Sequence, residues 1–150
     1  METTWLERTF DELTVQQLYA IMQLRERVFV VEQRCTYLDA DGLDREARHL
    51  WAERGGEVVA YLRILPAGVK YAEVAIGRVV TAHSARGGGL GRELMRRGID
   101  ACGPGPIRIS AQAHLEDWYV DLGFVRASEI YDEDGIAHID MLLDARLGAV

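Results

Sequence analysis

Hydrophobic positions recur at two spacings along the chain, and the switches between them predict the order of elements. Residues 5–10, "WLERTF", read as a short first strand. Thr14 then stands as an N-cap, with Gln17 three residues on to complete a capping box. Leu18, Ile21, Met22, Val28 and Phe29 follow at helical spacing, and Arg25 falls in the same stripe. An arginine in an apolar stripe has two readings. It snorkels or ion-pairs at the edge, or it is buried and holds a loop carboxylate such as Glu32.

The pattern breaks between Arg34 and Arg45, where "RCTYLDADGLDR" is acidic and irregular. Alternation then takes over. "RHLWAE" (48–53) and "EVVAYLRIL" (57–65) flank a short Arg-Gly-Gly segment and read as a hairpin. In the second strand Val58, Ala60, Leu62 and Ile64 share one face. "YAEVAIGRVVT" (71–81) reads as a third strand, whose interior Gly77 predicts a bulge or a close backbone approach.

Helical spacing returns with Leu90, Leu94, Met95 and Ile99, and "GPGP" (103–106) ends that helix. "IRISAQ" (107–112) is a short strand, and "HLEDWYVDL" (114–122) a short helix closed by Gly123. A strand around 124–132, a turn at Asp134-Gly135 and a strand at 136–143 complete the chain. The order predicts an α/β (α+β) fold of one domain, 1–150, with a mixed, mostly antiparallel sheet flanked by helices. The central strand–helix–strand unit predicts one parallel pair.

Two segments hold candidate chemistry. The first is "RGGGLGR" (86–92), between the third strand and the second helix. A P-loop started at Gly87 needs its second glycine at the position Arg92 occupies, and no Lys-Ser or Lys-Thr follows. A dinucleotide fingerprint fails at Arg92 or at Leu94, depending on the frame. The physics common to both motifs survives: amides at a helix N-terminus, unobstructed by side chains, form an anion site. Arg86 and Arg92 add positive charge, and a pyrophosphate is the natural guest. A purely structural glycine loop is the other reading.

The second segment holds Asp39, Asp41 and Asp44. It lacks the glutamate and the flanking helices of an EF-hand, so no metal is expected. Glu32, Asp39 and Asp41 either attract a cationic substrate or form a solvated acidic loop. Composition narrows the rest. A net charge of −7 is the wrong sign for a nucleic-acid surface. No apolar run approaches the roughly 20 residues of a membrane span, and the N-terminus carries no signal-peptide pattern. Cys35 and Cys102 lack metal or redox spacing, which suits free buried thiols in a reducing cytoplasm.

The glycine stretch, following "RVVTAHSA", resembles the Arg/Gln-x-x-Gly-x-Gly/Ala signature of the GCN5-related N-acetyltransferases. "QAHLEDWYVDLGF" (112–124) is similar to that family's Asn-x-x-Ala-x-x-Phe-Tyr-x-x-x-Gly-Phe segment, with Gln112 and Leu115 in place of Asn and Ala. "LRERVFVVEQ", "DADG", "AIGRV", "AQAHL" and "YDEDGIAHI" resemble its ElaA-type subgroup, so the likeness runs over about residues 15–143.

The resemblance implies splayed central strands forming a V-shaped acyl-CoA cleft, and direct transfer from acetyl-CoA to a primary amine. By matching position, Arg86, Gly87, Gly88, Gly89, Leu90, Gly91 and Arg92 would receive the pyrophosphate. The backbone of Arg78, Val79 and Val80, with Gln112, would hold the pantetheine arm. An amide near Val80, freed by a bulge around Gly77, would meet the oxyanion. Tyr119 matches the family tyrosine that protonates the leaving thiolate, its alternative being a core aromatic beside Trp118.

The base is open. Glu73 lies thirteen residues before Arg86, an offset resembling that of the histone-acetylating branch. His114, His138 and a water-mediated route are the alternatives, whereas His49 and His83 read as surface or structural. A non-catalytic acyl-CoA-binding module is the competing function. The acceptor's identity and a homodimer through the C-terminal strands are left undecided.

Overall fold

The computed structural model describes residues 2–144. Its elements are β1 (Thr4–Thr9), α1 (Val15–Arg25), β2 (Arg48–Arg54), β3 (Glu57–Leu65), β4 (Val74–Thr81), α2 (Leu90–Ala101), β5 (Ile107–Gln112), α3 (Glu116–Asp121), β6 (Val125–Arg126), β7 (Tyr131–Glu133) and β8 (Ile136–Leu143). The strands form one open eight-stranded sheet in the order β1-β2-β3-β4-β5-β8-β6, with β7 also paired to β8. Every pairing is antiparallel except β4 with β5. The predicted fold class and the single parallel pair are both present.

The predicted cap closes α1. Thr14 Oγ1 accepts from the Gln17 amide at 3.0 Å, and Gln17 Oε1 accepts from the Thr14 amide at 3.0 Å. The helix does not continue regularly to Phe29. From Glu26 to Glu32 it widens into a π-helix, where the Gln33 amide reaches back to the Val28 carbonyl at 2.9 Å. Three β-branched residues, Val28, Val30 and Val31, fall in this widened segment. Val28 and Phe29 stay buried, whereas Val30 and Val31 are left exposed.

β3 is buried from Val59 to Leu65, on both faces rather than one. Tyr61 and Arg63 face α1 and the loop after it, since the Arg25 guanidinium lies 5.6 Å from the Tyr61 ring. Leu62 faces α2, which approaches so closely that a Cβ on Gly98 would stand 2.6 Å from a Leu62 methyl. Helices on both faces turn an alternating strand into a continuous buried run. Three other boundaries shift: residues 71–73 lie outside β4, the strand around 124–132 breaks into β6 and β7, and residues 113–115 form a 3-10 turn before α3. Cys35 is buried and Cys102 half-buried, and neither is in a disulfide.

Of the aspartates in the irregular segment, Asp39 and Asp44 are buried and Asp41 is exposed, and all three are paired with arginines. Fully buried Arg25 donates through Nε to Asp39 at 2.9 Å and through Nη1 to Asp44 at 2.7 Å. Its partners are these two, while Glu32 pairs with Arg86 at 2.9 Å. Buried Arg63 donates to both oxygens of Asp41, at 2.8 and 2.7 Å, and to Asp44 at 3.1 Å. His49 Nε2 donates to the Asp44 carbonyl at 2.9 Å, and its Nδ1 accepts from the Tyr61 hydroxyl at 2.7 Å. The arginines and aspartates offset one another's buried charge and fix the loop against the sheet.

This network makes stability depend on pH in one direction. Burial lowers the His49 pKa from its ordinary 6.5, so the folded protein holds the ring neutral. Burial alone would raise the Asp44 pKa, but hydrogen bonding and charge from Arg25 outweigh it and hold the carboxyl low. In both cases the unfolded chain binds more protons, so stability is present above the unfolded pKa and lost as pH falls. Thermal unfolding should therefore give a Tm that declines as pH drops below about 6.5 and declines further below about 4. In His49→Gln the first part of that decline disappears. A wild-type Tm that does not move between pH 7 and 5 would contradict this role.

Candidate functional site

β4 and β5 pair only where Val74 meets Ile107 and Ala75 meets Arg108. Beyond Ala75 the strands separate, and a cleft of about 650 Å³ opens between them. One edge of β4 remains paired to β3, while its other edge faces the cleft from Ile76 to Thr81. The π-helical segment, the loop after it, the start of α3 and the β7–β8 hairpin wall the cleft. An unpaired strand edge inside a slot offers a row of backbone donors and acceptors to an extended guest.

At the wide end β4 leads through a short turn into the glycine loop. Gly87 and Gly89 have φ of 91° and 80°, conformations that side-chain-bearing residues rarely adopt. Gly89 is the N-cap of α2 and provides no side-chain cap. The first helical bond runs from the Glu93 amide to the Gly89 carbonyl at 3.1 Å, so the amides of Leu90, Gly91 and Arg92 have no intrahelical partner. A Cβ on Gly87, Gly88 or Gly89 would meet nothing within 4 Å. Packing therefore does not demand these glycines, and the space beside the helix dipole is kept open. Gly91 differs, because its Cβ would lie 3.6 Å from Trp118 and 3.7 Å from Thr81. Arg86 bonds the Thr81 carbonyl at 3.0 Å as well as Glu32, and Arg92 lies 3.9 Å from Asp121. Both predicted cations thus already face a carboxylate.

The predicted bulge is present, one residue from its expected place. Tyr61 faces Val80 and Arg63 faces Gly77, so Arg78 and Val79 together stand opposite Leu62. The left-handed residue is Arg78, at φ 52°. Gly77 is not left-handed, and a Cβ there would meet only Arg63 Nε at 3.9 Å.

Tyr119 lines the cleft and is buried, held edge-on between Trp118 at 5.0 Å and Phe124 at 5.9 Å. Burial pushes its pKa up to about 12, and its hydroxyl bonds none of the described residues. The phenol therefore keeps its proton at neutral pH and has it free to donate. Gln112 reaches across the cleft mouth, donating to Gln33 Oε1 at 3.1 Å.

The candidate bases separate. Glu73 lies at the joined end of β4, outside the cleft lining, with its carboxylate 3.7 Å from Arg108. His114 and His138 both line the cleft. His138 Nδ1 donates to the Ile136 carbonyl at 2.8 Å, which leaves Nε2 toward Glu133 at 3.4 Å. His49 is buried in the ion network and His83 is exposed beside Arg86. Gln33, Tyr37, Ser110 and Glu133 also line the cleft, and none carries a local sequence signal for it. Each reaches the cleft from an element distant in sequence, and the one local signal was Arg25, which marked the loop's anchor.

Residues 12–145 match the family model described as the acetyltransferase (GNAT) domain. The chain is 43% identical over 143 residues to Protein ElaA of Escherichia coli (strain K12), a match covering 91% of this chain and 94% of that protein. It superimposes on the crystal structure of Escherichia coli ElaA with a TM-score of 0.89 at 40% identity, covering 95% of this chain and 99% of that one. An acyl-CoA N-acyltransferase from Pseudomonas aeruginosa gives a TM-score of 0.90 at 44% identity, with coverage of 95% and 99%.

Proposed function

The chain belongs to the acetyltransferase (GNAT) domain family, and from that premise we propose that it transfers an acetyl group from acetyl-CoA directly to a primary amine. The observation that carries the reading is the continuous path along β4. It runs from the uncapped amides of α2, past the free strand edge at Ile76 to Thr81, to the unpartnered hydroxyl of Tyr119. A pyrophosphate fits the open space at Gly87 to Gly89, against the amides of Leu90, Gly91 and Arg92. The backbone of Arg78, Val79 and Val80 lines the slot as an added strand would require, and Gln112 closes its far side. Acetyl-CoA supplies the thioester.

The residues divide the chemistry. An amide of the bulge at Arg78–Val79 stabilises the oxyanion that forms when the amine attacks the thioester carbon. Tyr119 protonates the sulfur as the carbon–sulfur bond breaks. The amine gives up its proton on the acceptor side, where His138 faces the cleft, whereas Glu73 lies outside the cleft lining beside Arg108. Cys35 and Cys102 outside any disulfide suit a reducing compartment, and a cytoplasmic location belongs to the same reading.

Release of free CoA from acetyl-CoA across a panel of primary amines tests the proposal. Turnover on at least one amine, with a matching N-acetyl product, is the expected result. Saturable acetyl-CoA binding without turnover on any amine would instead leave a non-catalytic acyl-CoA-binding module.

A further inference from the structure

We infer that the Arg78 side chain is a positioning residue for the transfer: through Asp39 it ties the β4 bulge, and the oxyanion donor there, to the loop after the π-helical segment that walls the cleft. The inference rests on the acyl-transfer reading and assigns a role that backbone contact alone would not give Arg78.

Arg78 is an unusual residue to find at φ 52°, a region that glycine occupies freely and that side-chain-bearing residues avoid. Its neighbour Gly77 does not take the left-handed conformation. What holds the bulge on an arginine is visible in its contacts. Arg78 Nε lies 2.8 Å from Asp39 Oδ1, Nη2 donates to the Asp39 carbonyl at 3.1 Å, and Nη2 lies 3.3 Å from Asp41 Oδ2. The Tyr37 ring faces the guanidinium at 5.1 Å. Asp39 is in turn fixed by Arg25 and Asp41 by Arg63, both fully buried.

One line of ion pairs therefore runs from α1 through Asp39 to the bulge. Tyr37, Leu38 and Asp41 of the same loop line the cleft. This wall of the cleft and the bulge are thus held as one unit. A donor aimed at a developing charge must be fixed before the reaction, and here the fixing groups stand outside the strand that carries the donor.

Arg78→Gly separates the side chain from the backbone conformation. Glycine adopts φ 52° without strain, and Asp39 keeps its pairing with Arg25. The most direct readout needs no acceptor: the infrared carbonyl band of carbonyl-labelled acetyl-CoA bound to the protein. In wild type, donation to the thioester oxygen shifts that band to lower frequency. In Arg78→Gly the band should return toward its position in free acetyl-CoA while the Kd for acetyl-CoA changes little. With an amine that supports turnover, kcat should fall about 100-fold, as expected for a donor displaced by about 1 Å. Asp39→Asn should reproduce both effects from the loop side. An Arg78→Gly protein with an unmoved band and wild-type kcat overturns the inference. A wild-type protein with neither a shifted band nor turnover overturns the acyl-transfer reading instead.

Discussion

Gly88→Asp is expected to weaken acetyl-CoA binding about 100-fold while leaving Tm unchanged or slightly higher. The two effects have opposite signs for one reason. Gly88 is not left-handed, and a Cβ there meets nothing within 4 Å, so the substitution strains neither backbone nor packing. A carboxylate beside the uncapped N-terminus of α2 is favourable for the free protein, because it complements the helix dipole. The same carboxylate would share the amides with a pyrophosphate. At about 5 Å and an effective dielectric constant of about 20, two unit charges repel by roughly 3 kcal/mol, and about 2.7 kcal/mol is a 100-fold change in Kd. Calorimetric titration with acetyl-CoA and a thermal melt of the free protein measure the two halves. An undiminished affinity would place the anion elsewhere.

Tyr119→Phe should lower kcat about 100-fold with little change in the Kd for acetyl-CoA or in Tm. Phenylalanine keeps the edge-on contacts with Trp118 and Phe124. The lost hydroxyl has no partner among the described residues, so its removal breaks no bond of the fold. With the pKa pushed up to about 12, Tyr119 is protonated at every ordinary assay pH. The wild-type rate should consequently show no fall from Tyr119 ionisation up to about pH 11. A Phe variant with full kcat would reduce Tyr119 to a core aromatic.

The parts of the site legible in the sequence are those written locally. The glycines at 87–89, the helix they open and the Tyr119 segment each lie within one stretch of chain; in the structure Arg86 and Tyr119 line one cleft, and Gly91 lies against Trp118. The walls were not legible, because the π-helical segment, the loop after it and the β7–β8 hairpin meet only through the sheet. Two residues show why local rules fell short. Gly77 drew the bulge because glycine is the usual occupant of unusual backbone, yet ion pairs to Asp39 and Asp41 place it on Arg78. Arg25 broke the apolar stripe of α1, and that violation was the visible end of a network whose nearest carboxylates lie 14 and 19 residues away. The offset of Glu73 from Arg86 is a count along the chain, and it does not carry the splay that leaves Glu73 at the joined end of β4 beside Arg108.

The most direct measurement is a crystal structure with CoA bound. The pyrophosphate should lie on the amides of Leu90, Gly91 and Arg92, with the pantetheine bonded along the free edge of β4 and its sulfur within hydrogen-bonding reach of the Tyr119 hydroxyl. A CoA bound outside the β4–β5 cleft, or with its sulfur turned away from Tyr119, would contradict the assignment.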